Sequence, residues 1–157
     1  MFSQAADERQ KVRDAAFRLL AVRARSRREL EQRLRQKKLD GDLITQTLDD
    51  FRDKGYQSDE DFARQYAGEK WRNKGWGPRR LESALAAKGI APGLAQRVIS
   101  ETVGEADLVE AILPLAQKHW RSSAGQPDQK RRQRLSGFLQ RRGYGWEVIG
   151  RVMDKLA

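Results

Sequence analysis

The sequence predicts an all-α protein of three tandem three-helix repeats, helix-turn-helix-like modules in an elongated, curved arrangement. Three observations predict it. First, no alternating β-branched run reaches five residues, so strand signals are absent. Second, three segments align: "ELEQRLRQKKL" from Glu29, "RLESALAAKGI" from Arg80 and "RLSGFLQRRGY" from Arg134. Each carries Leu, a second Leu four residues on, a basic residue three further and an apolar residue two beyond that. The leading leucines, Leu30, Leu81 and Leu135, are 51 and 54 residues apart. The match continues through Leu43, Leu94 and Val148 and then Leu48, Ile99 and Met153. Third, four stretches share a base, a glycine and a large apolar residue: Lys54-Gly55-Tyr56, Lys74-Gly75-Trp76, Lys88-Gly89-Ile90 and Arg142-Gly143-Tyr144. Glycine adopts the left-handed conformation at a helix end, the base suits the negative dipole terminus, and the apolar residue folds back on the last turn.

Residues 1–11 read as an N-terminal tail, 12–56 as the first repeat, 57–104 as the second and 105–157 as the third, with a basic loop at 121–134. In the first repeat, Ala16, Leu19, Leu20 and Arg23 share helical spacing. Ser26-Arg27-Arg28-Glu29 is a capping box that opens the next helix. Asp42 opens a third helix with Leu43, Ile44, Leu48 and Phe51 on one face. In the second repeat Ser58 caps a helix with Phe62, Ala63 and Tyr66 inward. Gly77 and Pro78 start the helix that stops at Lys88-Gly89-Ile90. The third repeat begins with "ADLVEAILPLAQKHW", where Pro114 is expected to kink the helix or end it early. "RSSAGQPDQKRRQR", from Arg121, has no apolar residue after Ala124 and reads as a mobile loop.

Composition limits the function. The 157 residues carry a formal charge of +10 and a pI near 10.3, which favours a polyanionic partner. The charge comes in blocks. Residues 23–38 hold eight bases against two acids, 40–69 three against nine, 70–89 six against one, and 118–142 eight against one. There is no cysteine, which excludes disulfides and thiolate zinc sites. No apolar run approaches the roughly 20 residues of a membrane span. The N-terminus carries Asp7 and Glu8 and no apolar core of a signal peptide, so a soluble cytoplasmic monomer is expected. His119 stands alone in basic surroundings, and Asp59, Glu60 and Asp61 sit at a helix start where acids suit the dipole. No P-loop, GxSxG or HExxH motif occurs, so neither an enzyme nor a cofactor is expected.

"GYQSDEDFARQYA", from Gly55, followed by "KGWGPRRLESALAAKGI", resembles the signature of the RecX regulatory proteins, bacterial modulators of the RecA recombinase. "RLLAVRARSRRELEQRL", from Arg18, is similar to that family's first repeat. The resemblance covers roughly residues 12 to 156 and is strongest from 55 to 90. It implies tandem three-helix repeats that bind in the groove of the RecA–single-stranded DNA filament and inhibit RecA ATPase, strand exchange and coprotease activity. Gln57 departs from the leucine that the family more often carries after Gly-Tyr, and is expected to weaken one apolar contact.

Basic side chains at the starts of the second helices, Arg27-Arg28, Arg79-Arg80 and Lys130-Arg131-Arg132, stand where a helix dipole disfavours them. A phosphate backbone or an acidic protein groove would favour them, because free helix N–H groups and guanidinium forks can grip one anion together. Arg35, Lys70, Arg72, Lys74, Arg141 and Arg142 complete the expected contact set for the filament and, weakly and without sequence preference, for single-stranded DNA. Removing Arg79 and Arg80 is expected to leave the fold intact. The alternative is a helix-turn-helix transcription regulator. Its recognition helix would be "PGLAQRVISETVGEA", whose Gln96, Arg97 and Ser100 could read bases, but whose Glu101 and Glu105 would repel phosphate.

Overall fold

A computed structural model describes residues 2–156. It contains nine helices among the described residues: α1 (Phe2–Val22), α2 (Arg27–Gln36), α3 (Gly41–Asp53), α4 (Asp59–Lys74), α5 (Pro78–Ala87), α6 (Pro92–Val103), α7 (Leu108–Ser122), α8 (Asp128–Arg141) and α9 (Trp146–Leu156). The main helix packing stays within the triplets α1–α3, α4–α6 and α7–α9. Each triplet buries its own core. Leu30 and Leu34 meet Ala16, Ile44 and Phe51 in the first; Leu81 and Leu85 meet Ala67 and Val98 in the second; Leu135 and Leu139 meet Ile112 and Val152 in the third. All six of these leucines are fully buried. Three small cores in series cost surface. The chain exposes 9837 Å², against about 8,000 Å² for a compact chain of this mass.

Local signals set most helix ends. Ser26 and Glu29 form the expected capping box, and Ser58 accepts the Asp61 N–H. The four base–glycine–apolar stretches all have positive φ at glycine. Three of them fold the apolar residue back by the expected bond pattern: Tyr56 N–H to Phe51 O, Ile90 N–H to Leu85 O and Tyr144 N–H to Leu139 O.

The structure corrects several boundaries. Residues 2–11, expected as a tail, continue α1 as helix. They contain no Pro, one Gly-free polar face and many good helix formers, so nothing stops the helix there. Met1 and Ala157, the outer ends of the expected segments, lie outside the described residues. Asp40, not Asp42, caps α3, accepting the Leu43 N–H at 3.0 Å. Pro114 lies inside α7 without ending it, because Val109, Ile112 and Ala116 bury one continuous face on either side of it. The basic loop shrinks to residues 123–127, and Lys130, Arg131, Arg132 and Arg134 belong to α8. The missing apolar signal is explained by Arg131, whose guanidinium lies 3.8 Å from the Trp120 ring centroid and fills an inward position four residues before Leu135.

Polar joints connect the modules. At the first, the Asp59 carboxylate accepts the Arg27 backbone N–H at 2.8 Å and the Gln57 amide at 2.9 Å. Gln57 is 4% exposed and also donates to the Arg25 carbonyl, so it is a buried bridge and not a weakened apolar contact. Glu29 accepts from Arg23 at 2.6 Å and from Lys88 at 3.3 Å. At the second joint, Gly77 N–H donates to Arg142 O at 2.6 Å and Arg79 N–H to Gly143 O at 3.1 Å. A Cβ on Gly143, whose φ is 98°, would lie 2.4 Å from the Arg80 nitrogen. Only glycine permits that approach.

Two predictions follow from these local features. In the first module the residue equivalent to Gly89 and Gly143 is Lys38, held at φ 60°. A side chain in that conformation costs on the order of 1 kcal/mol. Lys38→Gly is expected to stabilise the protein by about 0.5–1 kcal/mol, read as a higher urea midpoint; an unchanged or lower midpoint would show that no strain is stored there.

Burial pushes the Glu29 carboxyl up, but hydrogen bonds from Arg23, the Ser26 N–H and Lys88 outweigh it and hold its pKa at about 2. The folded value lies below the usual carboxylate value near 4.3. The stabilisation is therefore complete above that value and declines as pH falls toward 2. Urea unfolding of the wild type and Glu29→Gln, followed from about pH 6 to 3, is expected to show the steeper loss in the wild type. Parallel curves would mean that Glu29 is not held ionised by the joint.

Candidate functional site

The two joints differ in charge. The first is built on acids: Asp59 caps α2, and Glu29 is shared by Arg23 and Lys88. The second has no carboxylate in an equivalent role. In the repeat alignment Arg80 stands where Glu29 does and Arg142 where Lys88 does, so two bases replace the acid–base pair. Carbonyls and rings take their guanidinium groups. The Arg80 guanidinium sits 4.1 Å from the Trp76 ring centroid and donates to Arg141 O at 2.9 Å. Arg142 Nη1 donates to Lys74 O, and its guanidinium lies over Phe138. The Tyr144 hydroxyl donates to Gly75 O at 3.1 Å, and burial pushes its pKa up to about 12.

Lys70 lies 5.3 Å from the Trp76 ring centroid but lines the cleft of the first joint with Arg23, Glu69 and Lys88. Around the second joint the fold gathers further cations. Arg72, Lys74, Lys118 and Arg142 line one cleft. Arg79, Arg80 and Arg141 line another on the same joint. Among the described residues, none of Lys70, Arg72, Lys74, Arg79, Arg80, Lys118, Arg141 and Arg142 has a carboxylate within 4.0 Å; the ion pairs of the structure involve other bases. An uncompensated cluster of this kind concentrates positive potential in a concave seam.

The other expected contact residues are placed differently. Arg27 pairs with Asp49 at 2.7 Å, Arg35 with Glu31 at 3.0 Å and Arg132 with Asp128 at 3.4 Å. Arg28 lies against Gly89, where a Cβ would come within 2.7 Å of its Nε. Arg131 is spent on Trp120, and Lys130 is exposed on the first turn of α8. The helix N-termini of α2 and α5 are not open to an anion either, since Asp59 and the Arg142 and Gly143 carbonyls occupy them. The expectation that removal of Arg79 and Arg80 spares the fold is corrected for Arg80, which is a joint residue. Lys118 was missed, although the base-rich block from 118 to 142 contains it.

On the helix of the helix-turn-helix alternative, Gln96, Arg97 and Ser100 are exposed, and acids stand among them. Arg97 of α6 pairs with Glu60 at 3.3 Å, and Arg64 of α4 binds both Glu60 and Glu101. His119 stacks on Phe138 with ring centroids 4.4 Å apart; burial, then the nearby Arg134 and Arg141, lowers its pKa. No group of three or more His, Asp or Glu residues able to hold a metal occurs among the described residues.

Three family models match the chain in order: the RecX first three-helix domain over residues 13–51, the second over 58–99 and the third over 105–153. The regulatory protein RecX of Chlorobaculum tepidum is 33% identical over 136 residues, covering 87% of this chain and 82% of its own. That of Halorhodospira halophila is 34% identical, covering 90% and 86%. The crystal structure of RecX from Lactobacillus salivarius superposes with a TM-score of 0.84 at 22% identity, over 96% of this chain and 97% of that one. Ordered modules, sequence relatives and a shared fold agree: the chain belongs to the RecX family of regulatory proteins.

Proposed function

We propose that the protein binds in the groove of a RecA–single-stranded DNA filament and inhibits RecA ATPase, strand exchange and coprotease activity. It acts as a cytoplasmic monomer without enzymatic activity of its own. The observation that carries this reading is the seam between the second and third modules, where seven bases line two clefts and none has an ion-paired carboxylate among the described residues. A filament groove offers what such a seam lacks: acidic protein side chains and phosphates in a repeating array. The separate cores suit that target, because modules in series can reach several protomers at once. Family membership supports the reading, since the relatives are named regulatory proteins.

Arg79 and Arg141 are the test residues, because both are exposed and neither side chain makes a hydrogen bond among the described residues. In RecA ATPase assays on single-stranded DNA, the wild type is expected to inhibit. The Arg79→Ala/Arg141→Ala variant is expected to bind the filament about 1–3 kcal/mol more weakly with unchanged helicity. A folded double variant that inhibits at wild-type concentrations would remove the seam from the interface. Naked single strands should bind weakly, with no sequence preference and a steep fall with salt. A particular duplex that outcompetes the filament would establish the transcription-regulator reading instead.

A further inference from the structure

Trp146, the first residue of α9, is 62% exposed, whereas Trp71, Trp76 and Trp120 are partly buried. Its indole edges a groove of about 450 Å³ between α8 and α9. Gly137 and Gly150 line this groove, and a Cβ on Gly150 would meet nothing within 4 Å. Ile149 and Met153 give it an apolar wall. The space is wide enough for a flat ring, and an aromatic face stands at its rim.

The groove does not end in neutral surface. Gln140 lines it and also lines the adjoining cleft of Arg79, Arg80 and Arg141. A slot with an apolar α9 wall and a polar α8 wall of Gln133, Ser136 and Gln140 therefore adjoins an uncompensated cationic cleft at Gln140. A nucleotide has the same two parts, a flat apolar base and an anionic phosphate. An apolar peptide side chain would fit the slot but would leave the neighbouring arginines unanswered. A paired base could not enter, because its face is covered by its neighbours in the stack. Glu147, the next residue, points about 100° away around the helix.

We propose that Trp146 is a stacking platform for an unpaired nucleobase, with Arg79 and Arg141 taking the flanking phosphates. The site deepens the filament reading and rests on it for the source of the single strand. Stacking reads no particular base edge, so the site tolerates any sequence. The Gln140 amide at the shared wall can hydrogen-bond several base edges without choosing among them.

The test is fluorescence anisotropy with a labelled oligothymidylate and an abasic strand of equal length and equal phosphate charge. Trp146→Ala is expected to weaken oligothymidylate binding about 5- to 100-fold, the range one base–aromatic stack supplies, and to leave the abasic strand unchanged. Trp146→Phe should retain most of the affinity, which separates stacking from a folding defect. Equal wild-type affinity for the two strands, or an unaltered Trp146→Ala, would overturn the proposal. If Trp146→Ala weakens binding to RecA filaments but not to free oligothymidylate, the occupant is protein: the base site falls and the filament reading stands. If the wild type binds neither filament nor single strand, both fall.

Discussion

A helix leaves its first N–H groups without intrahelical partners, and in this protein the following module supplies them. Asp59 of the second module takes the Arg27 N–H of α2, and the Arg142 and Gly143 carbonyls of the third module take the Gly77 and Arg79 N–H groups at the start of α5. The rest of the arrangement depends on this contact. The three cores are separate, so most hydrophobic burial stabilises each module on its own. Orientation comes from short, directional bonds at helix ends. The start of α8, in the third module, carries no side-chain cap.

The same device is built with different chemistry at its two positions, and the difference sets where positive charge is left uncompensated. The first joint uses carboxylates, and Arg23, Arg27 and Lys88 are neutralised where they stand. The second uses carbonyls and aromatic faces, which satisfy geometry without cancelling charge. Arg80 and Arg142 suit this joint because a guanidinium is weakly hydrated and stacks readily on a ring. The outcome is a structural seam that doubles as a basic surface.

Much of the fold was legible because its signals are local. The paired leucines, the capping serines and the base–glycine–apolar stops each act within one helical turn, and all fell where the spacing placed them. Arg131 shows what was hidden. Its charge argued for a loop, and only the position of Trp120, eleven residues away, reveals that it packs as an inward residue. Which bases stay without an ion-pair partner was half legible for the same reason. Charge blocks identify Lys70, Arg72, Lys74, Arg79 and Arg141 as excess bases, but the pairing of Arg27 with Asp49, 22 residues away, depends on tertiary structure. So does the placement of Arg28 against Gly89. Gln57 carried a signal that was misread: a polar residue where an apolar one is usual marks a buried polar partner, here the Arg25 carbonyl and Asp59.

The central claim is that the second joint fixes how the last two modules face each other. The chain has no native cysteine, so paired spin labels can be introduced without removing any residue first. Labels at Gln96 on α6 and Asp154 on α9, both exposed, report the module-to-module distance by electron–electron double resonance. The wild type should give one narrow distance distribution. Gly143→Ala places a Cβ against the Arg80 nitrogen and should broaden it, with helicity by circular dichroism unchanged. A broad distribution in the wild type, or a narrow one that survives Gly143→Ala, would contradict the account.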